Sequence, residues 1–318
     1  MRSPSGGTVR IGRLIGWMAV VASLGFIGLQ LWRHAPWQLA GAHLPALTAA
    51  IVGGALLYGM AGFLLSSAWY QLLGAGTGAS IRWHHAIYGR TQIAKYLPGN
   101  VFHLVGRQVL GPRLGHGQAR LALASLLEVV LLVLVAGMLS LPILWRGLDQ
   151  IPLWLAALAA PVALLIAMRW ARRRDLALRD LAQDAACGYA RMSRRLLAAA
   201  ALFALFFLVV AAIFWLLALS VSDPGRPALD LASGVPVVAL AWLVGFATPG
   251  SSAGIGVREA VLIAALEGTL GAPASGLIAL ALRLVTVGGD MLFCAFGMSL
   301  APTGGWAKSI ALGDDPAQ

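Results

Sequence analysis

Hydrophobic positions in this chain fall into long continuous runs, with little of the alternation expected of half-buried strands. The clearest runs cover about residues 14–32, 46–69, 121–144, 151–168, 196–220 and 275–300. Each reaches the ~18 apolar residues with which a helix can cross a bilayer. The pattern predicts an all-α, polytopic transmembrane helical bundle with about six full spans. It is read as a single integral membrane domain over residues 1–318, with a membrane core of about 11–300 and short tails.

Two stretches interrupt the pattern. Between the fifth and last runs, one apolar arm covers 232–246, a break follows at 247–256, and a second arm covers 257–265. At 1.5 Å of rise per residue, each arm is too short for a ~30 Å hydrocarbon core. A re-entrant hairpin is the first expectation. Two short tilted spans are the alternative, and eight spans result if the broken arms cross. The segment 80–113 is less hydrophobic and mixes Arg82, His84, His85, Arg90 and Lys95 with Trp83, Tyr88 and Tyr96. It suits an interfacial amphipathic helix leading into a second re-entrant element.

Both breaks carry a Pro-Gly turn with one spacing. In Leu97-Pro98-Gly99 and in Thr248-Pro249-Gly250, an arginine follows the proline by nine residues: Arg107 and Arg258. Gly106 precedes the first arginine by one place, and Gly254 and Gly256 lead up to the second. Broken backbone at membrane depth is tolerated only where it is buried in protein or lines a cavity. A pair of broken segments, one in each half, points to a binding or passage site. These prolines and glycines are therefore read as hinges or cavity-lining turns. A tight helix-packing turn is the plain structural alternative for the second.

Composition strengthens the membrane assignment. The chain is 59% hydrophobic and 11% charged, against about one-quarter charged in soluble domains. A net charge of +11 would suit nucleic acid, but the basic residues lie in the loops between spans, where they set topology. Placing the N-terminus in the cytoplasm puts eighteen basic residues inside and three outside. Both termini are then expected in the cytoplasm of a bacterial-type inner membrane. Arg2, Arg10 and Arg13 before the first run fit a retained signal anchor better than a cleaved signal peptide. The loop at 169–195, with Leu178, Leu181, Ala185, Tyr189 and Met192 at helical spacing, reads as a helix on the membrane surface. A topology-setting charged loop is the compatible, plainer reading. Cys187 and Cys294 support neither a disulfide framework nor a metal motif.

Charges inside the apolar stretches are few: Glu128, Arg258, Glu259, Glu267, Arg283 and Asp290. Each costs at least about 2.5–3.5 kcal/mol at the bilayer centre, so such groups face the interior and pair. Arg283 and Asp290 share a helix face at a separation of seven. The expected network joins Arg258 or Arg283 to Asp290, and Glu128 to a remaining arginine. An arginine left over would suit a phosphate. The start of a helix near Ile255 is a further candidate phosphate site. A purely stabilising ion-pair cluster is the alternative. His84, His85 and His103 lack ligand partners at metal spacing, and neither a Walker A sequence nor a nucleophile–base arrangement is present. No cofactor and no catalytic residue is expected.

At Lys95-Tyr96-Leu97-Pro98-Gly99 with Gly106-Arg107, and at Thr248-Pro249-Gly250 with Gly256-Val257-Arg258-Glu259-Ala260, the chain resembles the lysylphosphatidylglycerol synthase transmembrane-region family. Glu128 and Arg283 also look like that family's intramembrane charges. The resemblance covers about residues 11–300 and implies a flippase-like membrane domain. It departs at the second turn, where Gly250-Ser251-Ser252-Ala253-Gly254 is longer and more polar than the family's usual Pro-Gly-Gly pattern. The soluble aminoacyl-transferase domain of the two-domain relatives is not expected here.

The resemblance implies a protein that moves a phospholipid, modified lipid or polyprenyl-linked lipid between leaflets. Arg107, Arg258 and Arg283 would engage the head-group phosphate, and Glu128, Glu259 and Asp290 would balance charge or exchange with it. Alternatives are a non-catalytic membrane partner of a lipid synthase or glycosyltransferase, and, less favoured, a lipid-modifying enzyme. Membrane lipids are the expected partners, and nucleic acid is not.

Overall fold

The computed structural model describes residues 37–74, 78–97, 101–146, 178–222, 230–248 and 252–300. These residues form helices and turns, with no strand among them. Four long helices carry the frame: α1 (Trp37–Leu73), α4 (Gln118–Arg146), α5 (Leu178–Ser220) and α8 (Ala272–Ser299). The apolar portions His43–Leu73, Gln118–Leu144, Met192–Ser220 and Ala272–Ser299 are long and apolar enough to cross a membrane. This is a membrane protein. Four of the six expected full spans correspond to these helices. The other two, at 14–32 and 151–168, lie outside the described residues.

Large apolar side chains cover the outside as well as the core. Val52, Leu56 and Met60 form one exposed stripe on α1, and Leu134, Met138 and Leu141 another on α4. In water such stripes would aggregate. Against lipid tails they cost nothing, and helix association must then come from close packing and polar contacts.

Glycines supply that closeness around α8. A Cβ on Gly289 would lie 2.8 Å from Ala55 O and 2.9 Å from Gly59 N, so α1 and α8 approach backbone to backbone. A Cβ on Gly89 would lie 2.7 Å from Phe293 O, and one on Gly297 would lie 3.0 Å from Ala86 O. α8 therefore packs tightly against both α1 and α2 (Ile81–Gln92). On its other side α1 packs along α5, whose Phe203, Phe207 and Phe214 are fully buried.

The remaining helices form the two broken elements. The first is α2, a 3-10 turn at Ile93–Tyr96, α3 (Phe102–Leu110) and a second 3-10 turn at Gly111–Leu114. The second is α6 (Leu231–Ala247), a 3-10 turn at Ser252–Gly254 and α7 (Val257–Leu270). The sequence places the second break well: its expected arms, 232–246 and 257–265, fall within α6 and α7. These two helices pack on each other, and α6 also packs on α4 and α5.

Two expectations change. α2 is no surface helix: His84, Ala86, Ile87, Tyr88, Gly89, Thr91 and Gln92 are buried, because its small residues admit α8. The surface helix expected in the 169–195 loop is not a separate element from Leu178 onward, since the α5 backbone runs unbroken from there into the span. Residues 169–177 lie outside the described residues.

Gly289→Ala is expected to destabilise the protein by about 1–3 kcal/mol, because neither backbone can yield. Gly288→Ala is the matched control. Its new methyl would meet only Ala55 Cβ at 3.5 Å, so helix propensity should leave it neutral or stabilising by up to about 1 kcal/mol. Thermal unfolding of the two purified variants in one detergent checks the contrast.

Candidate functional site

The two breaks meet. The 3-10 turn Ile93–Tyr96 touches the 3-10 turn Ser252–Gly254, and α8 packs against the first. α8 then reaches both. Asp290 accepts from Lys95 Nζ at 2.9 Å on Oδ1 and 2.7 Å on Oδ2, and from the Tyr96 hydroxyl at 2.6 Å. Two helical turns earlier, Arg283 Nε lies 3.5 Å from Glu259 Oε1, and its Nη1 donates to Ala253 O at 3.3 Å. Asp290 thus holds the first break and Arg283 the second.

The expected pairing of Arg258 or Arg283 with Asp290 is therefore corrected. Seven residues on one helix face are still about 10 Å apart along the axis. Lys95 and Tyr96 stand closer to Asp290 and occupy both its oxygens.

Arg107 enters from α3 and is fully buried. Its Nη1 pairs with Glu128 of α4, Nη2 donates to Gln92 Oε1 at 3.3 Å, and its guanidinium lies 3.6 Å from the Tyr88 ring centre. Glu128 also accepts from the Tyr88 hydroxyl at 2.7 Å. This cation is already neutralised, so its expected role as a free phosphate ligand is not what the geometry offers. Gly106 is likewise no hinge. It lies within α3, where a Cβ would come 2.9 Å from Thr91 Cγ2, so its smallness lets α3 pack on α2.

Arg258 is different. Among the described residues it has no carboxylate partner, and its Nε is buried without a hydrogen bond. Its guanidinium lies 5.8 Å from the Trp242 ring centre. Two glycines make room for it. A Cβ on Gly245 would fall 2.5 Å from Arg258 Cγ, and one on Gly254 would fall 2.5 Å from Arg258 Nε. Gly254 and Gly256 also have φ of 73° and 85°, which glycine adopts readily. Between them and the turn, Ala253 sits at φ 51°, with its carbonyl held by Arg283.

Glu259 turns away from Arg258. Its Oε2 accepts from Gly256 N at 2.7 Å and closes the start of α7. The phosphate site expected at that helix start is thus taken by the chain's own carboxylate. Glu267 is exposed near the far end of α7 and takes no part. Pro98, Gly99, Pro249 and Gly250 lie outside the described residues.

Two cavities, about 510 and 640 Å³ counting their open mouths, share Tyr58, Phe206, Trp242 and Arg258 in their walls. The first also takes in Glu259 and Arg283; the second takes in Lys95, His103, Arg107 and Glu128. The sequence-derived charges therefore do converge, Glu267 excepted. Chemically the arrangement offers, among the described residues, hydrogen-bond donors and one cation without a carboxylate partner beside aromatic walls.

Sequence reasoning missed Lys95 and Tyr96 as partners of Asp290, although both stand directly before Leu97-Pro98-Gly99. It also missed Tyr58, Tyr88, Gln92 and Trp242. Position relative to the first turn could have flagged Lys95, Tyr96 and Gln92. Nothing in sequence separates Tyr58 or Trp242 from other membrane aromatics.

A second polar contact lies apart from this cluster. His84 Nδ1 donates to Ser80 O at 2.9 Å, which leaves its Nε2 to accept from His116 Nε2 at 2.9 Å. Burial lowers the His84 pKa; burial, then the charges of His84 and Arg120, lowers that of His116 to about 4. A histidine held neutral in the fold binds its proton more readily when unfolded. Stability is thus complete above pH ~6.5 and is lost as pH falls towards 4.

Thermal unfolding from pH 7.5 to 4.5 should show the wild type losing more stability than His116→Gln. For the charged cluster, Glu128→Gln strands Arg107 and should cost about 3–5 kcal/mol. Arg258→Gln removes no ion pair and an uncompensated charge, so it should melt no lower than the wild type. Equal losses in the last two variants would contradict this division of labour.

The chain was compared with protein-family models and with curated proteins, and it matches neither.

Proposed function

We propose that this protein is a flippase-like integral membrane protein that binds a lipid head group at Arg258 and passes it between leaflets. The observation that carries this reading is the contrast among the cations of the cluster. Lys95, Arg107 and Arg283 each have a carboxylate, whereas Arg258 has none among the described residues. A cation at membrane depth is costly and functional by default. Arg258 also lines both cavities, in a recess that Gly245 and Gly254 keep open. A guanidinium offers a phosphate two parallel donors.

In the proposed topology, α6–α7 and the α2–α3 segment are re-entrant elements entering a bundle of about six spans. Eight spans is the alternative. Both termini face the cytoplasm of an inner membrane. Lys95 and Arg107 belong to buried pairs and are no longer counted towards topology, yet the remaining basic residues still strongly favour that orientation. The resemblance to the lysylphosphatidylglycerol synthase transmembrane-region family supports the same reading.

Purified protein in proteoliposomes should move a fluorescent-head-group phospholipid across the bilayer. Arg258→Gln should slow it by about tenfold or more, equivalent to ~1.4 kcal/mol of lost head-group interaction. Wild-type and variant rates that coincide would refute the role of Arg258.

A further inference from the structure

The charge balance of the cluster specifies what kind of head group it takes, and this inference rests on the lipid-binding reading above. Four cations, Lys95, Arg107, Arg258 and Arg283, converge with three carboxylates, Glu128, Glu259 and Asp290. Each carboxylate is engaged. Glu128 holds Arg107 and the Tyr88 hydroxyl, Asp290 holds Lys95 and the Tyr96 hydroxyl, and Glu259 holds Arg283 and Gly256 N. Among the described residues, one positive charge remains, on Arg258.

Two donors face this surplus. Arg258 Nε and Arg283 Nη2 are buried without a hydrogen bond, and both arginines line the first cavity. The lining is otherwise largely apolar and aromatic, with Phe206, Phe207 and Trp242 in it. A group entering here is desolvated, and a second uncompensated charge would be strongly disfavoured.

We infer that the site selects a lipid whose head group bears a single net negative charge on a phosphodiester. Its two non-bridging oxygens match the donors of Arg258 and Arg283, and its one charge neutralises the cluster. A terminal phosphomonoester approaches two negative charges at neutral pH, and a polyprenyl diphosphate likewise exceeds one. Either leaves the cavity overcharged. A cationic aminoacylated head group is disfavoured for the opposite reason: its ammonium finds no free carboxylate, because all three are taken.

The test is competition against a fluorescent phosphatidylglycerol bound to the full-length protein in neutral detergent. The competitors are dioctanoyl phosphatidylglycerol, dioctanoyl phosphatidic acid, farnesyl diphosphate, lysyl-phosphatidylglycerol and chain-free glycerophosphoglycerol. Dioctanoyl phosphatidylglycerol should compete at least about tenfold better than each of the others. Arg258→Gln should abolish that preference. Glu259→Gln adds one net positive charge and should shift the preference towards farnesyl diphosphate; Arg258→Gln, which breaks no ion pair, keeps the test readable should that variant fail to fold.

Arg258-dependent binding that favours the diphosphate or the lysylated lipid would overturn the single-charge inference and leave the lipid-binding reading intact. Glycerophosphoglycerol competing as well as its lipid would keep the phosphodiester and overturn the lipid. Absence of saturable, Arg258-dependent binding by every probe would overturn both.

Discussion

Arg283 and Asp290 stand two turns apart on α8 and take different partners, one the turn at Ala253, the other the turn at Lys95–Tyr96. Much else depends on this clasp. A helix interrupted among apolar neighbours exposes backbone and charge that lipid cannot solvate. Here the break is made tolerable by bringing it to a helix that carries the complementary groups. Ala253, held in a left-handed conformation, gives its carbonyl to Arg283. Lys95 and Tyr96 satisfy an aspartate that would otherwise be buried alone.

The clasp is possible only because α8 approaches its neighbours closely. Gly289 lets α1 in, and Gly89 and Gly297 let α2 in. Leucines at these places would push α2 outward, and with it the 3-10 turn that carries Lys95. Helix packing and ion pairing are thus one arrangement. In a bilayer, where burial of apolar surface no longer drives helices together, close backbone contact and buried polar pairs are the available forces.

Against this balanced background Arg258 is distinct. Arg107 was built for neutrality, with a carboxylate, an amide oxygen and an aromatic face around it. Arg258 was given space instead, by two glycines and a tryptophan. The two arginines have the same spacing from their prolines, and the spacing does bring both to the same cavity. It does not give them the same role. Partner availability does: Glu128 lies opposite Arg107 on α4, whereas Glu259, adjacent to Arg258 in sequence, is drawn to its own helix start and to Arg283.

By itself the sequence determined the class of protein, four of the membrane-length helices, and the second break to within a few residues. These are local properties: a long apolar run has one good way to satisfy its backbone in lipid, and Pro-Gly ends a helix wherever it stands. It also singled out nearly all the buried charges, because charge in an apolar run is visible without any fold. Tertiary structure alone decided which charge meets which. Asp290 and Lys95 are 195 residues apart, and no periodicity connects them. It likewise decided that α2 is buried, that Gly106 serves packing, and that Arg258 keeps its charge uncompensated. Pairing is a matter of distance in space, and the chain's apolar pattern leaves the register between helices open until glycines, aromatic rings and buried ions close it.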